Sequence, residues 1–236
     1  MNKCLAFFCF CVLLGCSKNK PTDRLHETVS SQSMDYATKF NIQADHLRVM
    51  EPWPGSSSAI EYRFENIPQR VVVTSTTHLP YLELLGLEDK LVGFVGANNI
   101  YSEKIYNRLK SGKIIEVGIN GKINLELLLA SQPDLVIAFD LGGESSTLDK
   151  IVEAGIPIVY NSDFLEETAL GRAEWIKFFG YIFDESNLAD SIFTGMVERY
   201  HQLKNLTQNV TERPSVFSGV VYGDAWFLPG GKNWSA

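Results

Sequence analysis

NLELLLASQPDLVIAF, residues 124–139, joins a short helix directly to a buried strand. Asn124 is a favoured helix N-cap residue. One apolar helical face follows at the expected spacing: Leu125, Leu128 and Leu129. Pro133 ends the helix, because its ring clashes with the preceding turn and it has no N–H to donate. The unbroken apolar run LVIAF then predicts a strand that is covered on both faces of a parallel sheet.

The same alternation of apolar strands and helical segments extends on both sides of this stretch. Five runs are expected to form strands: residues 71–73, 91–95, 114–117, 135–139 and 156–160. Further helices are expected at residues 79–85, 102–110 and 144–153. Strands that alternate with helices in this way imply a parallel sheet with helices on both of its faces.

The rhythm changes after residue 167. Residues 168–183 and 185–206 are helical stretches with no strand between them, and Asp184 is placed to cap the second. A fresh strand is expected at residues 216–222, before a Gly- and Trp-rich end. We therefore predict an α/β protein with three folded parts: an N-terminal lobe (40–167), a connecting helical segment (168–208) and the beginning of a second α/β lobe (209–236).

Composition and charge exclude several classes of function. The 236 residues are 45% hydrophobic and 21% charged, which is typical of globular protein. The formal net charge is −7 and the chain has no basic cluster, so neither nucleic acid nor an anionic membrane surface is an expected partner.

The cysteines are confined to the first sixteen residues, at Cys4, Cys9, Cys11 and Cys16. The body of the protein therefore has no disulfide framework and no thiolate metal site. The apolar run at 4–14 is too short to span a bilayer core of about 30 Å as a helix, but it suits a signal peptide.

The run ends in LLGC (residues 13–16), which resembles the bacterial lipobox. By that resemblance residues 1–15 are a lipoprotein signal peptide, and Cys16 is acylated as the first mature residue. The polar residues 16–39 would then be a flexible tether. The alternative is a plain signal peptide that contains cysteines.

The order of these elements resembles the periplasmic substrate-binding proteins of ABC importers for ferric siderophores, haem and cobalamin. The similarity covers roughly residues 40–236. The segments that carry it are QRVVVTSTTHLPYLELLGLEDKLVGFVG (69–96), NLELLLASQPDLVIAF (124–139), AGIPIVYN (154–161), LEETALGRAEWIKFFGYIF (165–183) and RPSVFSGVVYGDAWFLPGG (213–231). The resemblance implies two α/β lobes joined by a long stiff helix. Because only about one strand and a loop follow Leu206, we read the chain as a truncated gene or an incomplete sequence.

Ligands of open parallel sheets bind beyond the carboxyl ends of the strands, where the loops converge. The ligand candidates that follow from this rule and the resemblance are Thr76, Thr77, His78, Asn98, Tyr101, Asn120, Trp226, Lys232 and Trp234. The same edge also includes Ser75, Lys122, residues 140–143, Asn161 and Asp163, and the second lobe would contribute Tyr222 together with Trp226, Lys232 and Trp234. Aromatic side chains suit a bulky planar ligand, and a cation suits an anionic chelate. The alternative for each residue is ordinary turn chemistry, which for His78 means a hydrogen-bonding turn residue.

Glu126 has a separate role by resemblance. In the resembled family a glutamate at this Asn-Leu-Glu position projects from the lobe and meets an arginine of the permease. The alternative is a partner of the helix dipole, because acidic residues favour the first helical turn.

The predicted function is a monomeric, lipid-anchored solute-binding component of an ABC importer on the periplasmic side of the cell envelope. It would capture an iron chelate, haem or corrinoid, without enzymatic activity or a resident cofactor. The chain has no Gly-x-Ser-x-Gly or Gly-x-Gly-x-x-Gly motif and no His-rich loop, and we expect Glu166 and Glu167 to face solvent. The alternatives are a lipid-anchored α/β hydrolase or cell-envelope enzyme, and a receptor lobe that binds no solute.

Overall fold

The computed structural model describes residues 34–119, 122–143 and 146–230. Its strands are β1 (Phe40–Gln43), β2 (His46–Val49), β3 (Ile60–Tyr62), β4 (Val71–Val73), β5 (Leu91–Val95), β6 (Ile115–Ile119), β7 (Lys122–Ile123), β8 (Leu135–Ala138), β9 (Ile158–Tyr160), β10 (Val220–Tyr222) and β11 (Ala225–Phe227). Its helices are α1 (Leu79–Leu84), α2 (Glu103–Lys110), α3 (Leu125–Ala130), α4 (Ser146–Glu153), α5 (Ala169–Glu174), α6 (Ile176–Ile182) and α7 (Ser186–Leu206).

A six-stranded sheet in the order β7-β6-β5-β4-β8-β9 forms the centre of the lobe. Five of its strands are parallel, and β7 pairs with β6 antiparallel at one edge. Every residue of β4, β5 and β8 is buried, as the unbroken apolar runs require. The predicted α/β fold with a parallel sheet is therefore confirmed.

Helices cover both faces of this sheet. On one face Leu128 of α3 and Ile151 of α4 pack with Val72 and Val136. On the other face α1, α2, α6 and α7 form a larger core. Phe178 and Phe179 of α6 lie in this core together with Trp175. A small antiparallel sheet, in the order β1-β2-β3, belongs to this second core.

Residues 168–183 of the connecting helical segment do not form a single helix. They divide into α5 and α6 around the buried Trp175, and the Thr168 hydroxyl caps α5 by accepting the Gly171 N–H at 2.9 Å. The long helix α7 follows, with a length of roughly 30 Å at 1.5 Å per residue. Asp184 does not cap it: Asp184 has a φ of 60°, and Glu185 occupies the N-cap position without a side-chain hydrogen bond. Within the described ranges, no helix combines the length and the apolar character that crossing a membrane requires.

The predicted flexible tether extends too far, because residues 35–37 are held by Glu174. This carboxylate accepts the backbone N–H groups of Asp35 at 3.0 Å and of Tyr36 and Ala37 at 2.8 Å. Glu174 is fully buried and also pairs with Lys177 at 3.2 Å. A buried carboxylate requires such donors, since the loss of its hydration is otherwise uncompensated.

Glu166 holds the next two residues in the same way and does not face solvent as expected. Only 2% of it is exposed, and it accepts the N–H of Thr38 at 3.0 Å and that of Lys39 at 2.9 Å. The indole N–H of Trp175 donates to the same carboxylate at 3.0 Å. We call Glu166, Glu174 and residues 35–39 the carboxylate clasp. The predicted signal peptide and Cys16 lie outside the described residues.

The part of the chain after α7 contains one hairpin, β10–β11, within the residues that the structure describes. Its turn includes Gly223, whose φ of +60° suits glycine. The predicted single strand at 216–222 is thus shorter and has an antiparallel partner. That this hairpin begins a second α/β lobe stays a prediction.

Candidate functional site

The parallel strands bring four loops together at the carboxyl edge of the central sheet. They are the loops that follow β4, β5, β8 and β9. The Thr74 hydroxyl joins two of them, because it accepts the N–H of Phe139 at 2.8 Å. This edge is where sheets of this kind bind ligands.

A small pocket of about 210 Å³ lies between the loops after β4 and β5. It brings together two predicted ligand residues, Thr76 and Tyr101, and Tyr101 is 98% exposed. Asn98 is exposed, but its neighbour Asn99 lines the pocket instead. Thr77 is also exposed.

A larger groove of about 480 Å³ opens beside the loops after β4 and β8. We call it the carboxyl-edge groove; its lining is Thr74, Lys122, Ile123, Phe139, Asp140, Leu141, Thr147 and Leu148. It combines apolar walls with one cation, Lys122, and one anion, Asp140. Such a mixture suits a ligand that has both apolar and charged parts.

Aromatic side chains extend from this groove along the strand ends. Phe139 packs on Phe164 with ring centroids 4.9 Å apart, and Trp53 packs on Tyr160 at 5.4 Å. Burial raises the pKa of Tyr160, and the nearby Asp140 carboxylate adds to the rise. The sequence analysis did not select Trp53; the available signal was an indole between two prolines, Pro52 and Pro54.

His78 is a core residue and does not reach the ligand side of the loops, contrary to its prediction as a ligand residue. It is 1% exposed and its ring lies 6.0 Å from that of Phe179. Neither ring nitrogen has a hydrogen-bond partner in the described structure, so the turn-residue alternative is also wrong. Burial lowers the pKa of His78 to about 3, and the nearby positive charge of Arg172 contributes.

Asn161 and Asp163, which follow β9, are buried as well. The Tyr81 hydroxyl donates towards Asp163 Oδ2 at 3.2 Å and the Arg172 carbonyl at 2.9 Å. Arg172 Nε also lies 3.4 Å from Asp163 Oδ2. Burial nevertheless raises the pKa of Asp163, which Arg172 only partly opposes. These groups brace the loop after β9 against α5.

Of the remaining predicted ligand residues, the structure describes Trp226. Trp226, in β11, is 54% exposed and packs on Phe217 of the same segment with centroids 4.6 Å apart. Asn120, Lys232 and Trp234 lie outside the described residues. In the described part of the chain, no cluster of three or more His, Cys, Asp or Glu side chains could hold a metal ion.

Glu126 is exposed in the first turn of α3, as expected. The Asn124 side chain caps this helix by accepting the Leu127 N–H at 3.1 Å. Leu128 is buried, but Leu129 is 39% exposed and so does not belong to the buried face that its spacing predicts. The outer surface of α3 therefore presents Glu126 between exposed leucines, including Leu127.

The sequence profile of the family described as "Periplasmic binding protein" matches residues 71–236. An uncharacterised lipoprotein of Methanocaldococcus jannaschii is 25% identical over 181 residues, which cover 74% of this chain and 43% of that protein. The vitamin B12-binding protein of Yersinia pestis is 39% identical over 87 residues, or 37% of this chain and 28% of that protein. The chain thus spans less than half the length of these curated relatives.

Solved structures share the fold. A periplasmic binding protein from Veillonella parvula superposes with a TM-score of 0.60 at 20% identity, covering 79% of this chain and 60% of that one. The siderophore-binding protein BauB, solved with acinetobactin and ferric iron, gives a TM-score of 0.52 at 21% identity, over 65% and 53% of the two chains. Because the family profile covers most of the sequence and the parallel sheet agrees with these structures, the chain belongs to the periplasmic binding protein family.

Proposed function

We propose that this protein is the solute-binding component of an ABC importer, and that it captures a ferric siderophore, haem or cobalamin-type ligand. The observation that carries the proposal is the carboxyl-edge groove, which opens at the ligand-binding edge of a sheet belonging to a family of binding proteins. Two similar proteins, a vitamin B12-binding protein and the siderophore-binding protein BauB, support this class of ligand. Family membership also favours a binding protein over an enzyme.

The chemistry of the groove fits a large ligand of mixed polarity. Phe139 and Leu141 offer apolar contact, while Lys122 and Asp140 offer opposite charges. Thr76 and Tyr101 add a second contact area in the adjacent pocket. Further contacts would come from the residues predicted by resemblance: Thr77, Asn98, Asn120, Trp226, Lys232 and Trp234.

Two further features complete the proposal. Acylated Cys16 anchors the protein to a membrane on the periplasmic side, an inference supported by the lipoprotein relative from Methanocaldococcus jannaschii. Glu126 docks on the permease, where the carboxylate pairs with an arginine and the exposed Leu127 and Leu129 pack around it. A charged centre with apolar neighbours is a suitable arrangement for a docking surface.

Calorimetric titration of the purified full chain with haem, cyanocobalamin and a ferric hydroxamate siderophore tests the function. We expect saturable one-to-one binding of one of the three probes. A protein with native circular dichroism that binds none of them would refute the proposed ligand class. Hydrolysis of ester substrates by the same preparation would instead favour the enzyme alternative.

A further inference from the structure

We propose that the turn between β2 and β3 forms part of the ligand site, and that Trp53 supplies an aromatic wall for a planar or apolar face of the ligand. The proposal rests on the solute-binding function proposed above and names a contact that lies outside residues 71–236, the range of the family match. The turn would therefore distinguish the ligand of this protein from those of relatives that share only the matched part.

The turn has a fixed shape. Residues 50–59 connect two strands that a two-residue turn could join, so the extra chain is not needed for pairing. The carboxylate of Glu51 accepts the Gly55 N–H at 3.1 Å and pairs with Lys39 Nζ at 2.7 Å. The bond from Lys39 lowers the pKa of Glu51, so the brace is ionised at neutral pH. Trp53 is thus presented by a rigid loop.

The turn reaches the carboxyl edge of the central sheet. Gly142, in the loop after β8, has a φ of +83°, and a Cβ added there would lie 3.2 Å from Cδ1 of Trp53. The glycine therefore leaves the space in which the indole sits. On its other side Trp53 meets Tyr160, at the end of β9. The indole is thus one of the contacts between the turn and the loops of the predicted ligand site.

The burial of Trp53 distinguishes it from a packing residue. Trp175 is completely buried in the core, whereas Trp53 stays partly exposed. Phe139 and Tyr160 are also partly exposed, so three aromatic side chains line adjacent strand ends. Asp140, which belongs to the carboxyl-edge groove, accepts the Gly142 N–H at 3.0 Å and places a charge beside them. Partly exposed aromatic faces beside charged groups suit a flat ligand with polar substituents.

The test compares Trp53→Ala and Trp53→Phe in the full chain by calorimetric titration with haem, cyanocobalamin and a ferric hydroxamate siderophore. For the probe that binds the wild type, we expect Kd to rise about tenfold in Trp53→Ala and less than about threefold in Trp53→Phe. Met50→Ala is the matched control, because Met50 is 40% exposed at the start of the same turn. Its Kd should equal that of the wild type.

Hydroxyl-radical footprinting of the wild type supplies a readout that needs no folded variant. Saturating ligand should reduce oxidation of Trp53 at least about threefold, while oxidation of the buried Trp175 stays low in both states. An unchanged Kd in Trp53→Ala, or unprotected Trp53, would overturn the aromatic wall while leaving the transport function standing. A wild type that binds none of the probes would overturn both.

Discussion

The carboxylate of Glu174 accepts the backbone N–H of Ala37 at 2.8 Å, although the two residues are 137 positions apart in sequence. Together with Glu166, it holds residues 35–39 in the folded lobe. These residues are therefore part of the folded structure, and the energy of their attachment can be measured.

We expect Glu174→Gln to destabilise the protein. An amide keeps one acceptor but places an N–H₂ group against backbone donors, and it loses the pair with Lys177. Breaking charge-assisted hydrogen bonds in a buried site costs about 2 kcal/mol or more. Urea denaturation measures the loss of stability. The control is Glu167→Gln, which changes the exposed glutamate next to Glu166. Equal midpoints for the two variants would contradict the clasp.

His78 makes stability depend on pH in a defined direction. Its pKa is about 3 in the folded protein and 6.5 in an unfolded chain, so the native state binds fewer protons below pH 6.5. Stability should therefore fall as pH falls from 6.5 towards 3, by roughly 1.4 kcal/mol per unit from this group alone. His78→Leu should have a shallower slope, measured by denaturation at each pH. Other titrating groups are common to both proteins and cancel in the difference.

The contact between α6 and α7 depends on a glycine. A Cβ added to Gly180 would lie 2.5 Å from that of Ala189, so we expect Gly180→Ala to cost about 1–3 kcal/mol. Gly195, within α7, has no atoms near its missing Cβ. Gly195→Ala should therefore stabilise the helix by about 0.5–1 kcal/mol. Thermal unfolding of the two variants measures these opposite changes in stability. A loss of stability in both variants would argue against the close contact between α6 and α7 as the cause.

Glu126→Ala should weaken association with the permease about tenfold without a change in ligand affinity, because the side chain is exposed on α3 and is not part of the carboxyl-edge groove lining. Glu153→Ala, exposed on α4 on the same side of the sheet, is the matched control. Co-purification with the permease and calorimetry with ligand separate the two effects. A loss of ligand binding in Glu126→Ala would argue against a docking role.

Cys16→Ser should release the protein from membranes. Each acyl chain contributes about 0.8 kcal/mol per buried CH₂, so removing the acceptor thiol removes the anchor. Metabolic labelling with a fatty-acid analogue and cell fractionation measure both steps. Continued labelling of the variant would indicate acylation at another residue, whereas an unlabelled wild type would indicate a plain signal peptide.

The elements of the central sheet could be predicted because their signals are local. Apolar runs such as the one in β8 and the cap at Asn124 identify a strand or a helix from adjacent residues. The two acidic residues of the clasp gave no such signal, since their partners lie more than a hundred positions away. Burial of His78 likewise depends on Phe179, which arrives from α6.

The site was predicted in part for the same reason. The rule for parallel sheets selects the edge at which the carboxyl-edge groove opens, and Thr76 and Tyr101 line one pocket at that edge. It says nothing of a turn from a separate small sheet, so it does not select Trp53. It also cannot distinguish loop residues that face solvent from those that turn inward, such as Asn161 and Asp163.

The clasp and α3 lie on opposite faces of the central sheet, since Tyr36 and Ala37 pack with one core and Leu128 with the other. The segment that leads from the proposed lipid at Cys16 would thus join the lobe on the face opposite α3, the helix that carries Glu126. The residues between Cys16 and Met34 span at most roughly 60 Å when fully extended. This length limits how far the lobe can rotate relative to the membrane. Shortening the segment between Cys16 and Met34 should leave solute binding intact but prevent delivery of the solute to a transporter in the same bilayer.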